Sequence, residues 1–499
     1  MLEIKFDAAR TQIIGIDDAL RNIICGELTW RDKATGYLIK QRRMEWLDDR
    51  RCCYDLATDT FPTGLIPRVI QLLDTYQVQY KYNCLYPIVK PTPSELPEWA
   101  YGHQRAIVES ALDYRRCLIS SPTGSGKSYA AAFFIQQFPK ERILVTVPSL
   151  NLLANIRRTL EKVIQEEIGQ VGDGKSNWQR ITVGIINSLA KHAKGKFADE
   201  LKAQQVLVID ESHNGASNSY QIISDFCVNT AYRVGLSATQ WRTDGADLVL
   251  EGVAGPKTLI IPESVMVELN VIHAPTAFFI NVRHDEKLYK GHYIYNDEFR
   301  GRLVTYPNLT NCKPDPEEVY LETIVRNDVR NKLIMDVLCR FLRSKGRGGN
   351  ALMIIDRIEH GNLLYELAQK RGLEIPFIDG STKGKKRMQV LDAFRSGDMD
   401  ALIASSILNE GEDLPKLELV INCAGRSNER INTQRDGRVL RIDHSGVKKR
   451  SIIVDFYDIE EHYMENHSRK RMRILNSRYP DSAQVATLEE IYDYFDNGQ

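Results

Sequence analysis

The chain has 499 residues, 43% hydrophobic and 26% charged, the balance of a water-soluble globular protein with room for about three domains. Lysine plus arginine equals aspartate plus glutamate at 66 each, so no whole-molecule charge draws it to a polyanion, and a nucleic-acid contact requires cations gathered on one face. No apolar stretch nears the roughly 20 residues of a membrane span, and residues 1–7 lack the pattern of an export signal, so a cytoplasmic location with no membrane partner is expected.

Nine cysteines are an odd number without metal-ligand spacing. Several sit in apolar runs, so reduced thiols are expected, with neither zinc nor disulfides.

Residues 1–90 read as a small α+β accessory domain, with strands at 36–40 and 52–56 and a helix over 65–73. Arg42, Arg43, Arg50 and Arg51 flank Trp46, and Lys81 lies between Tyr80 and Tyr82. Such interleaving either grips nucleic-acid backbone and stacks on bases, or is the solvated face of a small core. Four prolines between 87 and 97 mark a linker. From 96 to 265 strands and helices alternate. The apolar runs at 142–147, 181–186, 205–209 and 232–236 are too continuous for one-sided strands and predict a parallel sheet covered on both faces. Its functional loops should then lie at the strands' carboxyl ends.

Residues 266–325 read as a linker, with a strand at 278–280 and an insertion at 287–316. A second alternating block, 326–458, has strands at 351–355, 376–378, 401–404, 417–421 and 451–454, and no glycine-rich phosphate loop of its own. The tail, 459–499, is helix-prone and basic at Arg469, Lys470, Arg471, Arg473 and Arg478, either a DNA arm or the exposed face of a docking helix. The fold class is therefore α/β: two tandem parallel-sheet domains, a small N-terminal α+β domain and a helical C-terminal tail.

One stretch organises the chemistry. After the apolar run 117–119 come Ser120, Ser121, Pro122, Thr123, Gly124, Ser125, Gly126, Lys127 and Ser128, and then a helix-prone segment. Strand, glycine loop and helix surround phosphates with backbone N–H groups and the helix's positive end. Lys127 would neutralise β- and γ-oxygens, and the Ser128 hydroxyl would bind Mg²⁺. Ser121 stands where the usual pattern has its first glycine. Asp210, Glu211, Ser212 and His213 follow the 206–209 run; Asp210 would hold Mg²⁺ opposite Ser128, and Glu211 would orient and deprotonate the attacking water. Ser237 and Thr239, ending the next strand, can hydrogen-bond the acidic loop and report nucleotide state. In the second block, Gln434 precedes Arg438 and Arg441, which are three apart on an expected helix and so share a face. They suit the arginine-finger role. Upstream, Gly411 permits a tight backbone, Asp413 can reach the ribose, and Ser405 suits a backbone phosphate.

In order, Gln104, 122–128, 147–149, 210–213, 237–239, 411–415 and 434–441 resemble the superfamily 2 DExH helicases across about 100–445. That resemblance implies two RecA-like domains, ATP with Gln104 reading adenine, and His213 coupling ATP state to motion. It also implies sugar–phosphate contacts at Pro148, Ser149, Gly380, Ser381 and Ser405; the last departs from a commoner threonine. The run 235–245 is similar to the repair and recombination branch, with Arg242 on DNA. Gly36-Tyr37, the run through Trp46, and 61–66 resemble the leading domain of phage UvsW-type branch-migration helicases. This implies an ATP-dependent remodeller of forked or four-way DNA, placed in the host cytoplasm if phage-encoded. It would act as a monomer through backbone contacts, with 3′-to-5′ travel suggested. Alternatives are the motor of a restriction or nuclease system, an RNA helicase, and an ATP-gated clamp. Retention of Glu211, Arg438 and Arg441 argues against the clamp. Residues 383–387 either track phosphates or solvate a helix start.

Overall fold

The computed structural model describes residues 1–33, 35, 36, 39, 47–238, 245–283, 293–296, 303–306, 316–344, 349–382, 384–405, 414, 416–427, 450–459 and 462–497. Two compact units divide the chain, Met1–Ile261 and Pro262–Gln499.

The first unit opens with a four-stranded sheet of order β5-β2-β1-β6, from β1 (Leu2–Phe6), β2 (Arg10–Ile14), β5 (Thr60–Pro62) and β6 (Tyr80–Cys84). A separate hairpin pairs β3 (Thr29–Arg31) with β4 (Arg50–Cys52). The helices Asp18–Glu27 and Ile66–Thr75 cover the sheet, burying Leu20, Ile24, Val69 and Leu73 against Ile4, Ile13 and Phe61. Gly36 and Ile39, expected in a strand, are helical, and β4 ends at Cys52 rather than starting there. Tyr37, Leu38 and Lys40 of that run, with Arg42, Arg43 and Trp46, lie outside the described residues.

The larger sheet of this unit has the order β10-β9-β11-β8-β12-β13-β7-β14. Its strands are β7 (Arg116–Ser120), β8 (Ile143–Val147), β9 (Gly169–Gly172), β10 (Lys175–Asn177), β11 (Ile181–Ile185), β12 (Val206–Asp210), β13 (Tyr232–Ser237) and β14 (Lys257–Ile260). All pairs but β9–β10 are parallel. Strands β8, β12 and β13 are buried along their whole length, as their unbroken apolar runs require of a sheet covered on both sides.

The N-terminal sheet is fastened to this larger one. Ala8 N donates to Val228 O at 3.0 Å, and Arg116 Nη1 donates to Ala8 O at 2.8 Å. Arg10 grips Asp225 with two bonds of 3.0 Å, Arg68 grips Glu251, and Leu248 joins the N-terminal core. The proline-rich stretch is strapped down as well: Thr92 N donates to Gln137 O at 2.8 Å, and Ser94 N to Gln137 Oε1 at 2.9 Å.

The second unit has a seven-stranded sheet of order β19-β20-β18-β21-β22-β15-β23, parallel throughout. These are β15 (Thr276–Arg283), β18 (Asn350–Ile354), β19 (Phe377–Ile378), β20 (Ala401–Ala404), β21 (Leu417–Asn422), β22 (Ile452–Ile459) and β23 (Ala483–Val485); β16 (Tyr293–Asn296) and β17 (Leu303–Tyr306) form a hairpin apart. The strand expected at 278–280 is β15, longer than its apolar core and paired with both β22 and β23, so residues 276–283 are part of the sheet and not of a linker; β23 falls where a helical tail was expected. The tail is the helix Leu488–Asn497 and the helix His462–Arg478 with β23 between them. Two α/β units with parallel sheets agree with the expected fold class.

Gly64 shows how tight the N-terminal docking is. A Cβ there would lie 2.1 Å from Glu251 O and 2.6 Å from Gly252 O, both backbone atoms that cannot swing away. Gly64→Ala should destabilise the unit by about 1–3 kcal/mol or more in urea unfolding. Gly26→Ala, in a helix with nothing within 4 Å of the new methyl, should be neutral or stabilising by about 0.5–1 kcal/mol.

Candidate functional site

Strands β7, β13 and β12 lie side by side and parallel, with Ser120 opposite Ser237 and Leu236 opposite Asp210. Neighbouring strands are about 4.8 Å apart, so the loop leaving β7 and the acid ending β12 stand roughly 10 Å apart. That gap suits phosphates and a cation. Ser121 N donates to Ser237 O at 2.9 Å, and Ser120 Oγ to Ala238 O at 3.3 Å, so the loop's root is tied to the end of β13.

The loop braces itself internally. Gly124 and Gly126 take φ of +86° and +79°, left-handed values that favour glycine. Ser121, the departure from the usual glycine, is fully buried, with its hydroxyl 2.7 Å from that of Ser125. Lys127 Nζ donates to Ser121 O at 3.0 Å and Pro122 O at 3.1 Å, folding back over the loop that it would share with a phosphate. Ser128 lies in the first turn of the helix Lys127–Gln136. Gln104 is buried: Tyr101 N donates to its Oε1 at 3.1 Å, and its Nε2 lies 3.5 Å from Ser125 O and 3.4 Å from Gly126 O. His103, unremarked in the sequence, donates from Nε2 to Ser125 O at 2.7 Å. Burial holds its pKa below the usual range, the Ser125 bond opposing.

At the acidic end, Asp210 is buried and Glu211 adopts φ +51° and ψ +49°. A left-handed glutamate costs about 1–2 kcal/mol and persists only where its surroundings fix it. Part of that fixing is Gly235 on β13, where a Cβ would sit 2.6 Å from Leu118 and 2.9 Å from Ser212 Cβ. Ser237 Oγ donates to Glu211 Oε2 at 3.4 Å. His213 Nδ1 lies 2.8 Å from Ser237 Oγ and 3.2 Å from the Glu211 carboxylate. Since the hydroxyl's one proton goes to Glu211, this network puts a proton on Nδ1. Burial disfavours the Glu211 charge, but His213, Lys127 and Ser237 outweigh it and hold the carboxyl at about 2. The donor types expected to hold the cation, the Ser128 hydroxyl and the Asp210 carboxylate, are hard oxygens of the kind that fit Mg²⁺.

Pro148 and Ser149 leave β8, where Ser149 caps the helix Leu150–Ile164 by accepting from Leu152 N. Ile185 stands opposite Val147, so Ile186 and Asn187 leave β11 at the same level. Asn187, which sequence reasoning missed, accepts from Ser219 Oγ at 2.9 Å. In the second unit, Gly380 and Ser381 follow β19 and Ser405 follows β20, with Ser405 N donating to Ile378 O at 3.1 Å. Asp379 Oδ1 accepts from Ser381 N, Ser381 Oγ and Thr382 N and fixes this turn; the Ser381 hydroxyl contributes most to holding its carboxyl below the ordinary range. Thr239, Arg242, Gly411, Asp413, Gln434, Arg438 and Arg441 lie outside the described residues.

The low Glu211 carboxyl is testable by pH. Its folded value near 2 lies below an unfolded glutamate's value of about 4.3. The ionised carboxylate therefore adds stability above about pH 4.3 that is lost as pH falls toward 2. In urea unfolding, the stability gap between the native chain and Glu211→Gln should stay level from about pH 8 to about pH 5, then move against the native chain by on the order of 2 kcal/mol in more acid solution. A gap that moves between about pH 8 and about pH 6 would contradict the hydrogen-bond set described here.

Residues 99–242 match the family model "Type III restriction enzyme, res subunit", and residues 333–443 match "Helicase conserved C-terminal domain". The chain is 25% identical over 383 residues to putative helicase 22 of Sulfolobus islandicus filamentous virus, covering 72% of this chain and 64% of that one. The match thus spans less than two thirds of that relative's length. It is 24% identical over 362 residues to the DNA 3′-5′ translocase XPB2 of Sulfurisphaera tokodaii, covering 68% of this chain and 78% of that one. Among solved structures, the HsdR fragment of a type I restriction enzyme from Vibrio vulnificus aligns over 77% of this chain and 67% of its own, with TM-score 0.55 and 16% identity, and shares the fold. The phage T4 UvsW crystal structure aligns over 98% of this chain and 99% of its own at 15% identity, with a TM-score of 0.43. With two helicase-family models matched in chain order, and the glycine loop rooted against the acidic and hydroxyl strand ends, the chain is similar to the superfamily 2 helicases.

Proposed function

We propose that this chain is an ATP-driven motor on DNA that remodels forked or four-way junctions. The observation that carries the reading is the glycine loop with Lys127 folded over it, rooted by Ser121 N on the Ser237 carbonyl, while the Ser237 hydroxyl donates to Glu211. The loop amides and Lys127 receive the triphosphate, and Gln104 meets adenine by giving up its contacts with the loop. Ser128 and Asp210 hold Mg²⁺, which when bound neutralises charge on the phosphate oxygens. Glu211, which Ser237 engages at one carboxylate oxygen, orients the attacking water and accepts its proton. Gln434, Arg438 and Arg441 supply the charge that steadies the departing γ-phosphoryl, with Gly411 and Asp413 at the sugar side. His213, Ser237 and Thr239 pass nucleotide state onward.

Pro148, Ser149, Arg242, Gly380, Ser381 and Ser405 grip sugar and phosphate, so binding depends on salt more than on sequence. The XPB2 relative, a DNA 3′-5′ translocase, supports translocation on DNA, and the filamentous-virus relative, a putative helicase, supports a helicase motor; the N-terminal resemblance supports branched substrates. The chain acts as a monomer in the cytoplasm. Among the described residues no helix is long and apolar enough to cross a membrane. A second reading, the motor of a restriction system, has the 99–242 family match in its favour.

ATP hydrolysis should be measured with single-stranded, duplex, forked and four-way DNA and with RNA. Branched DNA should stimulate most, and Lys127→Ala should lower turnover by about a hundredfold or more. Equal stimulation by every substrate would remove the junction assignment, and undiminished turnover in the variant would remove the site. Cleaved DNA on the same gels would favour the restriction reading.

A further inference from the structure

A neutral chain that holds DNA must collect cations locally, and most of its described arginines are already engaged. Arg50 pairs with Asp48, Arg10 with Asp225, Arg469 with Glu465, and Arg478 with Glu263. Lys81 faces Glu3. One surface differs. From Gly174 to Ala198 the chain carries Lys175, Arg180, Lys191, Lys194 and Lys196 and not one aspartate or glutamate. Arg180 is taken by Glu166, but the four lysines are exposed, and among the described residues no carboxylate lies within ion-pair reach of them.

These lysines share one edge of the larger sheet in the first unit. Lys175 opens β10, the edge strand, opposite Gly172, and β9 runs beside β11. The helix Ile186–His192 leaves β11 and carries Asn187 and Lys191 four apart on one face. Phe197 closes the patch from beneath: it is 3% exposed, its ring lies 5.5 Å from Trp178 and 5.3 Å from His192, and Lys196 Nζ sits 5.5 Å over it. The two lysine segments are thereby one surface. It begins level with Ser149 and Asn187, since Ile185 stands opposite Val147.

We propose that this β10 edge, with Lys175, Lys191, Lys194 and Lys196, is a second contact that holds the sugar–phosphate backbone of a duplex DNA arm beside the strand gripped at Ser149. The partner's identity rests on the DNA-motor reading. A single strand would want exposed aromatic faces for its bases, and here Phe197 is buried with a lysine over it. Duplex offers the denser charge, about one phosphate per 1.7 Å of axis. The lysines reach it on flexible stems as point charges, without reading sequence.

The test uses the whole chain with Lys175→Ala, Lys191→Ala, Lys194→Ala and Lys196→Ala combined, and a second variant with only Lys194→Ala and Lys196→Ala. Binding of a blunt DNA duplex and of a short single strand is followed by fluorescence anisotropy across a salt series, with thermal melting alongside. Duplex affinity should fall roughly tenfold or more in the fourfold variant, and its log–log salt slope should flatten by about 2–4. Short-strand affinity and melting should stay as in the native chain, with the double variant intermediate. Unchanged duplex affinity and slope would overturn the proposal, as would equal loss for the short strand. An RNA duplex held as tightly, with the same lysine dependence, would overturn the DNA assignment. The motor reading fails separately, if DNA never stimulates ATP hydrolysis by the native chain.

Discussion

A single backbone hydrogen bond, from Ser121 N to Ser237 O, sets the geometry on which the proposed nucleotide site depends. It joins the first residue after β7 to the last residue of β13, so the phosphate loop cannot shift without carrying the hydroxyl strand end with it. Ser237 in turn donates to Glu211 and lies against His213. Loop, serine, imidazole and carboxylate form one hydrogen-bonded piece, and its spacing is inherited from the sheet rather than from side-chain packing. The left-handed Glu211 is affordable here because β13 presents a glycine, Gly235, beneath Ser212. A larger residue would push Ser212 upward and take Glu211 out of reach of both its partners.

The N-terminal sheet belongs to the same rigid frame. Its ties are of unequal worth. Arg10 and Asp225 are both half-exposed, and such pairs contribute no more than about 1 kcal/mol. The closer constraint is backbone on backbone: Ala8 bonds with Val228, and Gly64 lies so near Glu251 O and Gly252 O that no side chain fits. A sheet attached through main-chain atoms and a shared core residue, Leu248, moves with the strands that carry Lys127 and Asp210. Anything it binds is carried by the lobe that holds the phosphate loop.

The continuous apolar runs foretold β8, β11, β12 and β13 to within a residue or so, because a strand buried on both faces leaves no other reading of such composition. The phosphate loop and the acidic strand end were legible for a related reason: few other uses put those residue types at strand ends. What was hidden depends on long-range neighbours. Gly36 and Ile39 sit in a short segment whose alternation suits a strand, yet they are helical; over so few residues tertiary context outweighs propensity. β23 is three residues with two exposed positions, too short for any period to appear, and it exists because β15 offers it an open edge. His103 and Asn187 looked like ordinary polar residues, since only the fold brings one against Ser125 and the other level with Ser149. Ser121 looked like a defect, and its hydroxyl turned out to brace the loop through Ser125.

The basic tail shows why counting cations along a sequence misleads. Arg471 lies in the helix His462–Arg478 and is 2% exposed. Its Nε and Nη2 donate to the two oxygens of Asp455 at 2.9 Å, Nη2 also donates to Phe456 O at 2.8 Å, and Nη1 to Gly425 O. Asn422 supports Asp455 from β21 at 2.8 Å, and Arg330 lies 3.5 Å from Asp458 and 4.4 Å from the Phe456 ring centre. In that company burial, and then Arg330, press the His360 pKa down to about 3. A guanidinium so placed has its fork filled and no face toward solvent, so the DNA-arm reading does not apply to Arg471. Buried pairs of this kind add little net stability over an apolar core, but losing one partner strands the other at a cost of about 3–5 kcal/mol. The network therefore serves position more than stability. It pins the carbonyl of Gly425, where the chain leaves β21 on its way to Gln434, and it makes the helix His462–Arg478 an internal strut of the second unit.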